Sequence, residues 1–354
     1  DVCASELVAA GAAAGPRGVF PSLLAAALFG LGVALGAGVF LSTAALTGAR
    51  WWLPLRGVAS ALAGTLPVPA LLLAGTLAAG LGALYPWAHA GHGAHFGHAK
   101  AVWLSAPLFL ARALAILVVW LGLVAYLRSR LAAWGAGTAP RSSFVRAAGL
   151  FVVVLAPTLS VGSWDWAMSL EPHWYSTMFG VYVFAGSFLS GLAALTVAAV
   201  LLERRGLLAE PLGASRTHDL GRLLFAFSTF WAYIWFCQYL LIWYANLPEE
   251  VPHFVARTRG EWATLFWLSP VLSFAVPFLA LLTADAKKRS RVLLPVALVV
   301  LLGRWLDSWL LVAPAATEGP AISVTGLAAG GLVALAMTAL FVRIHGGRWP
   351  AGAD

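Results

Sequence analysis

The sequence predicts an all-α polytopic membrane protein, and three observations carry that prediction. Of its 354 residues, 61% are hydrophobic and only 10% charged, whereas a soluble domain is about a quarter charged. Mean hydropathy is +0.87, so the chain cannot cover itself with a water-compatible surface. Apolar stretches of about 20 residues, the length that spans a bilayer as a helix, recur about nine times.

Those stretches lie near 19–46, 54–84, 103–127, 145–167, 174–203, 221–246, 262–284, 290–313 and 320–343. They divide the chain into an N-terminal segment 1–18, four spans within 19–167, four within 168–313, and a last span with the C-terminus in 314–354. Pro86, Pro140, Pro172, Pro211, Pro248 and Pro314 fall at or just outside the predicted ends, where a missing N–H costs least. Pro67 and Pro69 offer a kink in the second span. No Gly/Pro-interrupted segment answers it four helices later, which counts against a secondary transporter built on paired broken helices.

The net charge of +8 and a pI near 10.0 read as topology rather than nucleic-acid binding, since no basic run is interleaved with aromatics. Arg50, Arg56, Arg128, Arg130, Arg141, Arg146, Arg204, Arg205, Arg216, Arg222, Lys287, Lys288, Arg289, Arg291, Arg343 and Arg348 fall on one side. The other side has Arg17, Lys100, Arg257 and Arg259. Basic short loops stay cytoplasmic, which predicts an outside N-terminus and a cytoplasmic C-terminus. An outside N-terminus with no visible leader is accommodated most simply by a further helix before Asp1. Cys3 and Cys237 form no CxxC, CxxCH or four-cysteine pattern, so no iron–sulfur cluster or attached haem is expected on this chain.

The loop between the fourth and fifth spans concentrates unusual chemistry: "SWDWAMSLEPHWYSTMFG", Ser163–Gly180. Trp164, Trp166, Trp174 and Tyr175 suit an interfacial aromatic belt. Asp165, Glu171 and His173 do not need that explanation. Ionisable groups within spans are costly and are functional candidates by default. Arg112 lies roughly 13 Å inside the third span at 1.5 Å per residue. Arg304 and Asp307, three apart on the eighth, project from one face and can pair. With Gln238 on the sixth span, these groups fall at one level in the outer half of the slab. That pattern predicts a hydrated polar cavity open to the outside; the bland alternative is that Arg304–Asp307 and Arg112 with Asp165 are buried ion pairs fixing helix register.

His89, His92, His95 and His98 recur every three residues in "WAHAGHGAHFGHAK". Imidazoles so spaced can bind a metal, but the intervening glycines fix no geometry, and the segment reads as an exposed loop. With no histidine at mid-span, a bis-histidine haem has no ligands. Small residues at four-residue spacing, Gly32 with Gly36 and Ser187 with Gly191, permit close helix approach. "DW" at 165–166 and "DSW" at 307–309, four helices apart, hint at two similar bundles.

The Ser163–Gly180 stretch, followed by "HDLGRLLFAFSTFWAYIWFCQYLLIWYANLPEE" at His218–Glu250, resembles the F subunit of bacterial alternative complex III. That complex is a respiratory quinol:electron-acceptor oxidoreductase, and the subunit is similar to the NrfD-like membrane subunit of polysulfide reductase. The likeness extends from "LTGARW" at 46–51 to "RWLDSWLLVAP" at 304–314. It implies two four-helix bundles with a peripheral helix, about ten spans in all in the family, in a bacterial inner membrane. It implies no redox cofactor on this chain. A paralogous quinol-binding membrane subunit, an iron–sulfur subunit, c-type haem subunits and a terminal oxidase are the implied partners, beside lipids. By the matching motifs, Asp165, Glu171 and His173, with Arg304 and Asp307, become the expected polar site. The expected role is a scaffold with a proton half-channel; the alternative is a chain that holds quinol itself.

Overall fold

The computed structural model describes residues 2–89, 96–208, 210–317 and 324–346, with side chains from residue 19 onward. His92, His95 and Arg348 lie outside the described residues. Helices α1 (Val2–Leu46), α2 (Arg56–Ala63), α3 (Pro67–Leu84), α4 (His98–Trp103), α5 (Ala106–Gly135), α6 (Arg141–Trp166) and α7 (Phe179–Arg204) are followed by α8 (Gly213–Ala245) and α9 (Val251–Thr258). Next come α10 (Trp262–Pro270), a π-helical turn at Val271–Ala275, α11 (Val276–Ala280), α12 (Ala284–Lys287), α13 (Ser290–Ala316) and α14 (Val324–Gly346). Among the described residues nine helical segments are long and apolar enough to span a bilayer, and no strand occurs. The chain is an all-α polytopic membrane protein. Leu71, Leu114, Val153, Leu241, Leu279 and Leu335 stay well exposed, as a hydrocarbon solvent permits.

Neighbouring spans close two rings. In the first, α1 packs on α2 and α3, α3 on α5, α5 on α6, and α6 back on α1. The second joins α7 to α8, α8 to the π-helical turn and α11, and these and α10 to α13, which returns to α7. α1 and α6 lie against α7, and α1 also meets α13, so the rings share one seam; α14 packs outside on α1, α2 and α3. The two small-residue pairs meet there. A Cβ on Gly36 would fall 2.3 Å from the Ser187 carbonyl oxygen, and one on Gly191 2.4 Å from the Gly36 carbonyl carbon. Only glycine allows backbones so close.

The helix ends form two faces. On the basic face Trp52 packs against Trp134 and Phe144, tying the first loop to the ends of α5 and α6. On the opposite, Trp-rich face the Tyr85 hydroxyl donates to Trp166 O at 2.9 Å and Trp87 Nε1 to Ser169 O at 3.1 Å. Lys100 Nζ donates to the Pro172 carbonyl.

Four local readings change. The second span is broken at 64–66 between α2 and α3, where the Arg128 guanidinium occupies the space beside Gly64. The seventh span is also interrupted, by the π-helical turn between Pro270 and Pro277, because each ring removes a backbone donor. α5 continues to Gly135 rather than ending near 127; Arg128 stays helical and donates from Nε to Ser60 Oγ at 3.3 Å, and Arg130 lies over the Tyr126 ring. Pro314 lies inside α13, not beyond it.

Candidate functional site

Burying a carboxylate in a helix bundle demands a cation and hydrogen bonds. Three clusters on or near the Trp-rich face meet that demand differently. The first lies wholly in the first ring. Asp165, at the end of α6, is 0% exposed; Arg112 on α5 reaches it with Nε at 2.8 Å and Nη2 at 3.1 Å. Trp103 Nε1 donates to the same carboxylate at 2.9 Å, and its ring lies 4.1 Å beneath the guanidinium. Two oxygens thus receive three donors in bidentate geometry, the strongest ion-pair arrangement.

The second cluster is in the other ring. Asp307 accepts from Arg304 Nη2 at 2.6 Å, from the Tyr182 hydroxyl, and more weakly from Ser269 Oγ at 3.5 Å. Arg304 lies over the Trp231 ring at 4.5 Å and is 4% exposed, yet its Nε and Nη1 have no partner among the described residues. Its placement depends on Gly186 of α7: a Cβ there would meet Nη2 at 2.4 Å.

Both Arg304 and Asp307 line a cavity of about 50 Å³ in the seam between the rings, with Ser187, Ser190 and Trp166 on its wall. Asp307 also borders a second cavity of about 30 Å³, with Tyr182, Gln238, His253 and Arg257. At roughly 10–15 Å³ of such space per water, these hold a few waters and about two. Asp307 and Leu311 line both, and the aspartate is the polar group that they share.

The third cluster closes the second cavity on the Trp-rich face. Glu171 accepts from His253 Nδ1 at 2.5 Å and from Arg257 Nη1 at 3.2 Å, with Nη2 at 3.0 Å. His253 and Arg257 are four apart on α9, so both turn inward from one helix face. Arg257 Nε donates to Leu310 O at 3.0 Å, the carbonyl that Pro314 leaves without its helical N–H. Trp174 stacks on His253, centroids 3.7 Å apart. Burial alone pushes Glu171 up, but Arg257 and His253 outweigh it and hold its pKa at about 2. Burial, and then the charge of Arg257, lower His253 to about 4 against the pull of Glu171. The resting state is an ionised glutamate, a neutral imidazole and a charged arginine.

The expected gathering of all the polar groups into one cavity does not occur. Arg112 and Asp165 form a separate pair that lines neither cavity and is capped by Trp103, which donates to the carboxylate and lies under the guanidinium. His173 is not the companion of Glu171: it is exposed and packs on Phe96 at 5.4 Å. Gln238, Arg304 and Asp307 do come together around the two cavities, with Glu171 one residue behind them. His253 and Arg257 are the residues that sequence reasoning missed. Their signal was present: an i, i+4 pair in "VPHFVART", on the face poor in cations.

His89 Nδ1 approaches Pro86 O at 3.3 Å. Among the described residues no group of three or more His, Cys, Asp or Glu is placed to hold a metal. Compared with protein-family models and with curated proteins, the chain has no match.

Proposed function

We propose that this chain is an integral membrane subunit of a quinol-oxidising respiratory complex of the alternative complex III type. In this reading it sits in a bacterial inner membrane with the basic face cytoplasmic. It scaffolds the assembly and carries a proton half-channel in its outer half, while its partners hold the haems, the iron–sulfur clusters and the quinol. The support is the resemblance of its two long motif blocks together with one observation. Asp307 is a buried carboxylate that lines two water-sized cavities, and its partner Arg304, which gives it Nη2 alone, keeps Nε and Nη1 without a partner among the described residues. The Asp165 carboxylate, by contrast, accepts both Nε and Nη2 of Arg112 and Nε1 of Trp103.

The test is quinol-driven proton release by the intact complex in liposomes. Asp307→Asn reduces release while assembly and quinol oxidation persist; unchanged release reduces this aspartate to structure.

A second reading, a quinol held by this chain, is supported by a different place. A groove of about 340 Å³ lies between the end of α8 and α9, lined by Tyr239, Ile242, Trp243, Asn246, Phe254 and Thr258. It falls in the size range of small-molecule sites, unlike the two cavities at Asp307. Photolabelling with a quinol analogue on Trp243 or Phe254 favours that reading, and labelling confined to partner subunits dismisses it.

A further inference from the structure

The Glu171–His253 contact has the form of a general base. Glu171 as a carboxylate only accepts hydrogen bonds, so the His253 Nδ1 that approaches it at 2.5 Å carries the imidazole proton. In the neutral ring the other nitrogen, Nε2, is then a lone-pair acceptor. Trp174, stacked at 3.7 Å with an interplanar angle of 8°, fixes the ring plane. His253 lines the small cavity together with Asp307, and Glu171 keeps 24% of its side chain exposed. One end of the dyad therefore meets solvent and the other lines the cavity that Asp307 also lines. The charged and titratable groups around His253 are Glu171 from the α6–α7 loop, Arg257 from α9 itself, and Tyr182 and Asp307 across the cavity from α7 and α13.

We propose that Glu171 and His253 form a proton-exchange dyad connecting Asp307 to the aqueous phase at the Trp-rich face, with water in the intervening cavity as the carrier. This rests on the reading above only in taking Asp307 as a group that exchanges its proton. On unloading, the Asp307 proton passes through cavity water to His253 Nε2, and the imidazolium gives its Nδ1 proton to Glu171, which releases it to solvent. One proton enters the dyad and one leaves, and the ring is left as the Nε2–H tautomer. On loading, a solvent proton travels through Glu171 to Nδ1, the Nε2 proton goes to the cavity, and the Nδ1–H tautomer returns. Unloading and loading thus alternate without the ring turning over, a motion that the Trp174 stack opposes. Arg257 holds the Glu171 carboxylate ionised between transfers and anchors α9 through Leu310 O. It is a positioning residue.

The experiment uses the whole assembly in nanodiscs and follows, by infrared difference spectroscopy after a pH jump, the carboxyl band that Asp307→Asn removes. No quinol is added, so the outcome is independent of respiratory function; quinol-driven turnover of the same sample tests that separately. His253→Gln slows equilibration of the band roughly a hundredfold, within the usual contribution of a positioned acid–base group, and Glu171→Gln slows it similarly. His173→Gln leaves the rate unchanged. Glu171→Gln keeps the shape of the loop, so it stands as the informative variant should His253→Gln misassemble. A wild-type rate in either assembled variant overturns the proposal, as does an Asp307 band that does not respond to the pH jump.

Discussion

Asp165 and Asp307 occupy corresponding places in the two rings, each near the Trp-rich end of a ring's last long helix and each paired with an arginine. Their surroundings differ. Asp165 receives Arg112 in bidentate fashion plus a tryptophan N–H, and neither cavity reaches it. Asp307 holds a single nitrogen of its arginine, shares its charge with Tyr182, and touches both cavities. Equal chemistry has been closed in one ring and left open in the other. The ion pair itself says little about function; the donors left over around it say more.

The comparison breaks most sharply on Asp165→Ala. Removing one partner of a buried pair costs about 3–5 kcal/mol, and the thermal stability of the purified assembly should fall accordingly, with proton release per surviving complex unchanged. Asp307→Asn should cost less, about 1–3 kcal/mol. The amide offers its oxygen to Arg304 at the Oδ2 position and its NH2 to the Tyr182 hydroxyl oxygen at the Oδ1 position, and cavity water with the Trp231 face solvates the arginine. Equal losses in the two variants would mean that the cavities are dry and the distinction is empty.

Gly186→Ala sharpens the comparison without touching a charge. Its methyl displaces the Arg304 guanidinium, overpacking that costs about 1–3 kcal/mol, and the Asp307 infrared band should shift while the Asp165 band does not. Acidification gives a smaller, graded effect at the third cluster. Glu171, lowered from 4.5 to about 2, and His253, lowered from 6.5 to about 4, both bind fewer protons folded than unfolded. Stability therefore rises with pH through each window. The His253 contribution is full above 6.5 and lost as pH falls through about 4; that of Glu171 is full above 4.5 and lost through about 2. Hydrogen exchange over 168–178 should accelerate in that order, and the first step should be absent in His253→Gln. The smallest effect belongs to His173→Ala, a surface change expected within about 0.5 kcal/mol of wild type by thermal melting.

Much of the fold was legible because lipid imposes a simple rule. A segment that crosses the bilayer must satisfy its backbone internally and be apolar for about 20 residues, so span number and approximate position follow from composition. The Gly32–Gly36 and Ser187–Gly191 spacings announced close helix approach without saying that each was the other's partner. The Arg304–Asp307 pair was readable because both residues lie on one helix face. Arg112 with Asp165 crossed between helices, and charge parity alone suggested it.

Composition and local spacing determined the class, the helices, the basic and Trp-rich faces and, among the buried charges, Asp165, Arg304 and Asp307, because those depend on neighbours along the chain and on the solvent. Tertiary structure alone decided that His253 rather than His173 faces Glu171, that Arg257 answers the carbonyl freed by Pro314, and that Asp307 rather than Asp165 borders the cavities. Such outcomes turn on differences of an ångström or two between helices distant in sequence. Hydrogen bonds and room for water are won or lost over that distance, and no periodicity records it.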